Sequence, residues 1–440
     1  MIYFYILISV FIQCSISISS SFFRQTSIKN SRNFYHKLSE SSKQQAVDKL
    51  SQYIQFNTAE PNPNYNSTVA YLQNYAKELN LTFNLFKCSP SNYPSVLLTL
   101  LGKNSSLPSI LLNSHMDVVP AVENEWHFPA FNKTIVKGKN GKVKIYGRGA
   151  TDNKGLGVIH LESIRQLKNL YPNGFLRDVH VLIVSDEESG GKRGMGCILN
   201  STFWKENVGE VALALGEGLT TNDTRVWGFY TERVRRGFKA IARGNTGHGS
   251  KFITHLALDK MDQFKLRMKH YRTIEENKMI LQNFTLGEVT TSNLNILQSG
   301  KTFNVVPDKV IAYFDVRATP IEDLVKLKKD IQTWGKESEV EIEFLFNDKV
   351  YQSEYKGNPF WSILEKKAKE INKPITMTIF PGSSDLRYLR EKGLFSIGLT
   401  PINFQQDTAH GNDEFLNSNS VIGGIEFFVY VLPELFNLVE

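Results

Sequence analysis

Cysteine is nearly absent from this chain of 440 residues: Cys14, Cys88 and Cys197 are the three present, and no Cys-x-x-Cys pair occurs. That excludes a disulfide-dense scaffold, and with Cys14 in a segment expected to be removed it leaves open whether Cys88 and Cys197 pair or stay free. Dense blocks of one charge are missing too. Lys+Arg 51 against Asp+Glu 44 gives a net charge of +7, a modest excess without the basic stripe that a nucleic-acid binder needs, so no nucleic-acid partner is expected. Neither an internal repeat nor a low-complexity tract is found beyond a Ser-rich leader. Several chemistries are excluded by the absence of their motifs: Gly-x-Ser-x-Gly, His-Glu-x-x-His and Gly-x-Gly-x-x-Gly do not occur, and Gly300-Lys301-Thr302 lacks the earlier glycine of a phosphate loop and is expected to be a turn. With 41% hydrophobic residues, 30 Gly and 15 Pro, what remains is an ordinary folded chain of about two to three domains.

A long apolar run opens the chain. Residues 2–12 are almost wholly apolar and lead through Cys14 into small polar residues, a run too short to span a membrane, which takes about 20 residues. Residues 1–21 are therefore expected to be a signal peptide, although no basic segment precedes the apolar run. A secreted protein follows, without stable membrane insertion after leader removal, and a cytoplasmic location is the alternative. Glycosylation sequons at Asn66, Asn80, Asn104, Asn132, Asn200, Asn222 and Asn283 agree with secretion.

Apolar spacing predicts helices over 39–56 and 67–79, then strands and helices in alternation: strands 96–101 and 110–112, helix 154–170, strands 179–184 and 211–215. That rhythm predicts an α/β fold with a central, mostly parallel sheet between helices. From about residue 229 it changes to strand 237–243, helix 256–271, strands 291–297 and 310–317, helix 321–335 and strand 340–346, the split βαβ order of an α+β, ferredoxin-like unit. The alternation then resumes with helix 359–371, strand 376–380, helix 384–391, strand 394–399 and helix 421–435. The expected organisation is a catalytic domain in two pieces, 36–228 and 351–440, interrupted by an inserted lid and dimerisation domain, 229–350.

Five segments place metal-type side chains just beyond a predicted strand: His115 and Asp117 after 110–112, Asp152 after Ile145-Tyr-Gly-Arg-Gly-Ala-Thr, Glu187 and Glu188 after 179–184, Glu217 after 211–215, and His410 beyond 394–399. In open α/β sheets such ends converge on one crevice. Mixed imidazole and carboxylate ligands suit zinc or a similar divalent ion, and five are too many for one tetrahedral site that keeps a position open, so two ions sharing a carboxylate fit better. Two adjacent glutamates at a buried strand end are costly unless cations or protons compensate them. Asp117, two residues after His115, is placed to accept the second ring proton of that histidine.

The stretches Asn113-Ser-His-Met-Asp-Val-Val-Pro120, Gly147-Arg-Gly-Ala-Thr-Asp-Asn-Lys154, Asp186-Glu-Glu-Ser-Gly-Gly-Lys-Arg-Gly-Met195, Thr246-Gly-His-Gly-Ser250, Phe303-Asn-Val-Val-Pro307, Phe314-Asp-Val-Arg317 and Ser384-Asp-Leu-Arg-Tyr-Leu-Arg390 together resemble the type 1 aminoacylases. These are zinc-dependent N-acyl-L-amino-acid amidohydrolases of the co-catalytic dizinc exopeptidase family, and the resemblance runs from about residue 38 onward. It implies a zinc-exopeptidase-like catalytic domain and hydrolysis of N-acyl-L-amino acids to a carboxylate and a free amino acid, with a secreted carboxypeptidase or dipeptidase of the same family as the alternative. It implies one zinc on His115, Asp152 and Glu217 and a second on Asp152, Glu188 and His410. Glu187 becomes the general base toward a water bridging the two. It also implies that His248 reaches the active site of the neighbouring subunit of a homodimer, and that Asn304 and Arg317 contact substrate. Arg317 is suited to hold the free carboxylate together with Arg387 or Arg390. The sequence departs from this pattern at Arg235-Arg236, where aromatic residues are usual, and at Gly216, where an acidic residue is.

Overall fold

The computed structural model describes residues 37–90, 93–138 and 143–439; the expected leader lies outside them. Eight strands form the main sheet in the order Thr82–Cys88, Tyr93–Leu100, Val179–Val184, Ser109–His115, Val211–Gly216, Ser396–Leu399, Val226–Glu232 and Ile375–Phe380. Four of the seven neighbouring pairs are parallel and the other three antiparallel. Ser109–His115 and Val179–Val184 are buried at every residue, the pattern of strands covered on both faces. Helix Lys154–Leu170 lies buried along most of its length between this sheet and helix Ser418–Phe436. Among the described residues Ser418–Phe436 is the one helix long and apolar enough to cross a bilayer, yet most of it is buried against Lys154–Leu170 and Pro359–Glu370. Asn358 caps Pro359–Glu370 by accepting from the amides of Phe360 and Trp361, and Pro359 occupies the first turn, where its missing N–H costs nothing.

A second sheet has the order Thr291–Ser299, Lys309–Ala318, Phe238–Arg243, Val340–Phe344, all antiparallel, with Val234–Arg235 added to Lys309–Ala318. Helices Ala257–Gln282 and Leu324–Glu337 cover it around a core of its own, in which Phe238 and Phe314 stack at 5.0 Å and Phe264 meets Phe314 edge-on. This is the split βαβ arrangement. Ala257–Gln282 runs about three turns past the expected end at 271. Its distal part has no continuous apolar stripe, Ile274, Ile280 and Leu281 being exposed, and it is tied down by the buried carboxylate of Glu275, which accepts from the amide of Thr290 at 2.9 Å. The expected boundary at residue 229 falls inside strand Val226–Glu232 of the main sheet. Gly228 interrupts the apolar run there; its bare backbone lets the side chain of Met377 approach to where a Cβ would stand 2.3 Å from sulfur.

Two further features bear on the site. A small sheet of Thr134–Lys137, Val143–Tyr146 and Phe415–Asn417 pins the segment after His410 to the loop before Asp152. Cys88 and Cys197 form a disulfide with Cα atoms 6.0 Å apart and a sequence separation of 109; closing a loop of that length is worth about 4–5 kcal/mol in a chain-entropy account. All seven sequon asparagines are exposed.

Candidate metal centre and active site

The expected ligands do converge. His115 ends the buried strand Ser109–His115, and its Nδ1–H donates to the main-chain carbonyl of Asp117 at 2.9 Å. This bond sets the tautomer and turns Nε2 toward Asp152 Oδ1, 2.9 Å away. The Asp117 carboxylate is farther from Nδ1, at 3.5 Å, and accepts instead from the amide of Glu188 at 3.0 Å. The ring proton expected at the Asp117 side chain therefore goes to that residue's backbone, while the carboxylate orients the glutamate loop. Asp152 stands between two imidazoles, with Oδ1 on His115 and Oδ2 3.2 Å from His410 Nε2, and the same nitrogen lies 3.2 Å from Glu188 Oε2. Two triads have ligand atoms close enough to share an ion: His115, Asp152 and Glu188, and His115, Glu187 and Glu217. This grouping differs from the expected partition, although all five expected ligands and Glu187 occupy one neighbourhood.

The glutamates enter it through a sharp turn. After Val179–Val184, Asp186 adopts φ 73°, a left-handed conformation that Asp tolerates better than most residues. Its carboxylate is held by the Arg193 amide and Nε, both at 2.7 Å. Burial, followed by the charge of Glu217, pushes the Glu187 carboxyl well above its ordinary value; burial and Asp152 do the same to Glu217. Glu188 is raised mainly by burial. Hydrogen bonds to Asp152 and Glu188 push His410 up to about 10, and those from His115 and His410 outweigh burial to hold Asp152 low. Glu188 Oε1 and Glu217 Oε2 are buried without a hydrogen-bond partner. Crowded, desolvated carboxylates with free oxygens beside oriented imidazoles fit a divalent cation, which supplies the charge that protons otherwise must.

One residue of this centre escaped the sequence. Glu414, fully buried, accepts from Arg148 Nη1 (2.9 Å), the Gly149 amide (3.0 Å), the Thr151 amide and hydroxyl (both 2.7 Å) and the Asp152 amide (3.2 Å). Arg148 donates in turn to the carbonyls of Gly411 and His410. The pair thus locks the Asp152 loop to the His410 loop. The one signal in the sequence is an acid four residues beyond a ligand histidine.

The crevice, of about 440 Å³, is lined by Asp152, Glu187, Glu188, Glu217 and His410 together with Arg235, Arg317, Phe380 and Arg387, with His115 buried behind them. Arg387 donates to the carbonyls of Ser384 (3.0 Å) and Gly190 (2.6 Å), and Arg317 pairs with Asp315 at 2.9 Å. Arg390 does not reach it. Its guanidinium is buried against Glu232 (3.2 Å) and the carbonyl of Phe229 (2.9 Å), joining its helix to the main sheet, so a substrate contact through Arg390 is excluded by packing. His248 lies exposed on the short strand Gly247–His248, with Nδ1 2.7 Å from the Ser250 hydroxyl; Asn304 is exposed beside the partner strand Val305–Val306. Neither lines the crevice of its own chain.

A mostly parallel α/β sheet whose strand ends gather imidazoles and carboxylates defines a metallohydrolase. Residues 111–434 match the family model of peptidase family M20/M25/M40, and the chain belongs to that family. It is 31% identical over 394 residues to aminoacylase-1 of Sus scrofa, covering 89% of this chain and 95% of that protein. Aminoacylase-1 of Dictyostelium discoideum is 30% identical over 408 residues, covering 88% and 96%. Among solved structures, a tripeptidase from Staphylococcus aureus superposes with a TM-score of 0.69 at 18% identity, covering 90% of this chain and 98% of that one. A dinuclear metal-binding peptidase of the M20 family from Bacillus subtilis gives 0.62 at 12% identity, covering 90% and 99%. At these identities the two structures speak to the fold alone.

Proposed function

We propose that this chain, a metal-dependent amidohydrolase, cleaves N-acyl-L-amino acids to a carboxylate and a free L-amino acid, with Glu187 as the general base. The observation that carries the reading is the Asp152 carboxylate set between His115 and His410, with Glu187 buried beside it. In this reading His115, Asp152, Glu188, Glu217 and His410 hold two zinc ions, which polarise the acyl carbonyl and acidify water when bound. Glu187 takes the proton from the attacking water as the new C–O bond forms. It then delivers that proton to the amine nitrogen as the C–N bond breaks, and its raised affinity for a proton suits both halves of the task. Asp117 steadies His115 and Glu188. Arg317 and Arg387 hold the α-carboxylate of the substrate.

His248 and Asn304 serve the crevice of a second copy. This is supported by their exposure on the lid, away from their own crevice, and by the open edge of strand Thr291–Ser299, where Leu294, Ile296 and Leu297 are exposed; an unpaired apolar edge is a pairing site. His248 of the partner subunit then donates to the developing oxyanion. Mixing His248→Ala subunits with Glu187→Gln subunits should regenerate part of the activity, read as turnover of the mixture against either parent. A dead mixture that still forms dimers sinks the shared site.

The Cys88–Cys197 disulfide and the seven exposed sequons support maturation in an oxidising secretory compartment. For the reaction itself the test is a comparison of kcat/KM for N-acetyl-L-methionine and for unblocked dipeptides. The acylated amino acid should win by about 100-fold or more, because a free α-ammonium brings a charge next to metal ions. A preference for dipeptides of that size would make the protein a peptidase.

A further inference from the structure

Beyond the metal ligands the crevice continues into a side pocket of about 220 Å³, and the two share Arg235, Ser383 and Arg387. Arg233 lines this pocket, and Lys192 and Lys349 stand exposed at its rim. The carboxylates nearby are already engaged. Asp348 takes Arg235 at 2.7 Å, Asp315 takes Arg317 at 2.9 Å, and Glu232 takes Arg390 at 3.2 Å together with the amide and hydroxyl of Ser384. Glu391, at the outer edge, accepts from the Tyr351 hydroxyl.

Arg233 has no such partner. Its side chain is 7% exposed, and it donates only to neutral oxygens: the carbonyls of Pro381 (2.7 Å) and Val289 (3.4 Å) and the hydroxyl of Thr291 (3.1 Å). Among the described residues no carboxylate forms an ion pair with it. Burial, then the charge of Arg317, pulls its guanidinium down to about 10. Arg235 and Arg317 are direct partners across antiparallel strands, an arrangement of like charges that is unfavourable until anions lie over it. The side pocket is thus lined by five cationic side chains, Lys192, Arg233, Arg235, Lys349 and Arg387, against three carboxylates, Glu232, Asp348 and Glu391; Arg235, Arg317, Arg387 and Arg390 each have a carboxylate within 4 Å, and Arg233 does not.

We propose that the side pocket is a subsite for a second carboxylate of the substrate, gripped by Arg235 and balanced by the buried charge of Arg233. The inference rests on the amidohydrolase reading and narrows it to acidic substrates. The second carboxylate sits either on the amino-acid side chain or at the far end of a dicarboxylic acyl group.

The zinc-loaded enzyme and its Arg235→Gln variant are to be assayed on N-acetyl-L-methionine, N-acetyl-L-glutamate and N-succinyl-L-methionine. For at least one of the two acidic substrates, kcat/KM relative to N-acetyl-L-methionine should fall tenfold or more in the variant, the scale of a charge-assisted hydrogen bond. Because each value is a ratio within one preparation, loss of folded enzyme cancels. A fall for the glutamate alone places the carboxylate on the side chain, and a fall for the succinyl compound alone places it on the acyl group. A change below tenfold for both, or hydrolysis of N-acetyl-L-methionine with neither acidic substrate turned over, overturns the subsite. Failure of all three substrates overturns the amidohydrolase reading instead.

Discussion

Glu187→Gln should leave the metal content of the protein unchanged and lower kcat for N-acetyl-L-methionine by about 10²- to 10⁴-fold, the usual contribution of a positioned general base. The amide keeps the size and the buried position of the carboxylate but cannot accept a proton from water. Glu187 is packed under the same turn that presents Glu188, and Glu188 meets His410 at 3.2 Å through its own oxygen, so the ligand geometry survives the exchange. The measurement is turnover together with metal counted per chain. Loss of metal along with activity would make Glu187 a ligand, in keeping with its place in the triad with His115 and Glu217; unchanged turnover would remove it from the mechanism.

Stripping the metal should be still more damaging. Prolonged chelation is expected to bring activity below about 1% of its starting value, and added zinc should restore it, because the attacking water and the carbonyl both lose their activation. Stability should fall as well. Burial and mutual repulsion already drive protons onto Glu187 and Glu217, and a ligand that binds only the folded state stabilises it by its own binding free energy. A thermal melt before and after chelation reads this as a drop in midpoint that zinc reverses. Metal analysis of the restored enzyme should find two ions per chain; activity that persists at zero metal would dismiss the metal centre.

Much of this centre was legible in the sequence because ligand type and strand end coincide. Each of His115, Glu188 and Glu217 follows an apolar run short enough to be a buried strand, so the crevice could be placed without knowing the order of the sheet. The parts that were not legible depend on partners far away in the chain. Glu414 looks like any loop acid until the Gly149, Thr151 and Asp152 amides arrive on it from 262 to 265 residues earlier. Arg387 and Arg390 are three apart in one short helix, and only the burial of Glu232 decides that the second turns inward. Thr82–Cys88 pairs on one side alone, and its partly exposed residues carry too little apolar alternation to mark a strand. Val226–Glu232 was hidden by Gly228, and its place between two strands from the end of the chain is a property of topology that periodicity does not encode.

That topology also governs how the molecule is made. Val226–Glu232 touches the rest of the main sheet only through Ser396–Leu399 on one flank and Ile375–Phe380 on the other, and both are translated after the whole of the lid. Between residues 232 and 396 lie 163 residues, roughly 10–30 s of synthesis at about 5–20 residues per second. Until Ile375–Phe380 emerges the nascent chain carries three uncovered strand edges, one of Val211–Gly216 and both of Val226–Glu232, and two of them stay uncovered until Ser396–Leu399 follows. The lid, whose strands pair only among themselves, can close while the ribosome is still working. The metal centre cannot, since His410 and Glu414 emerge last of its residues, and a transcript truncated between residues 350 and 374 yields a protein with a finished second sheet beside an unfinished main one.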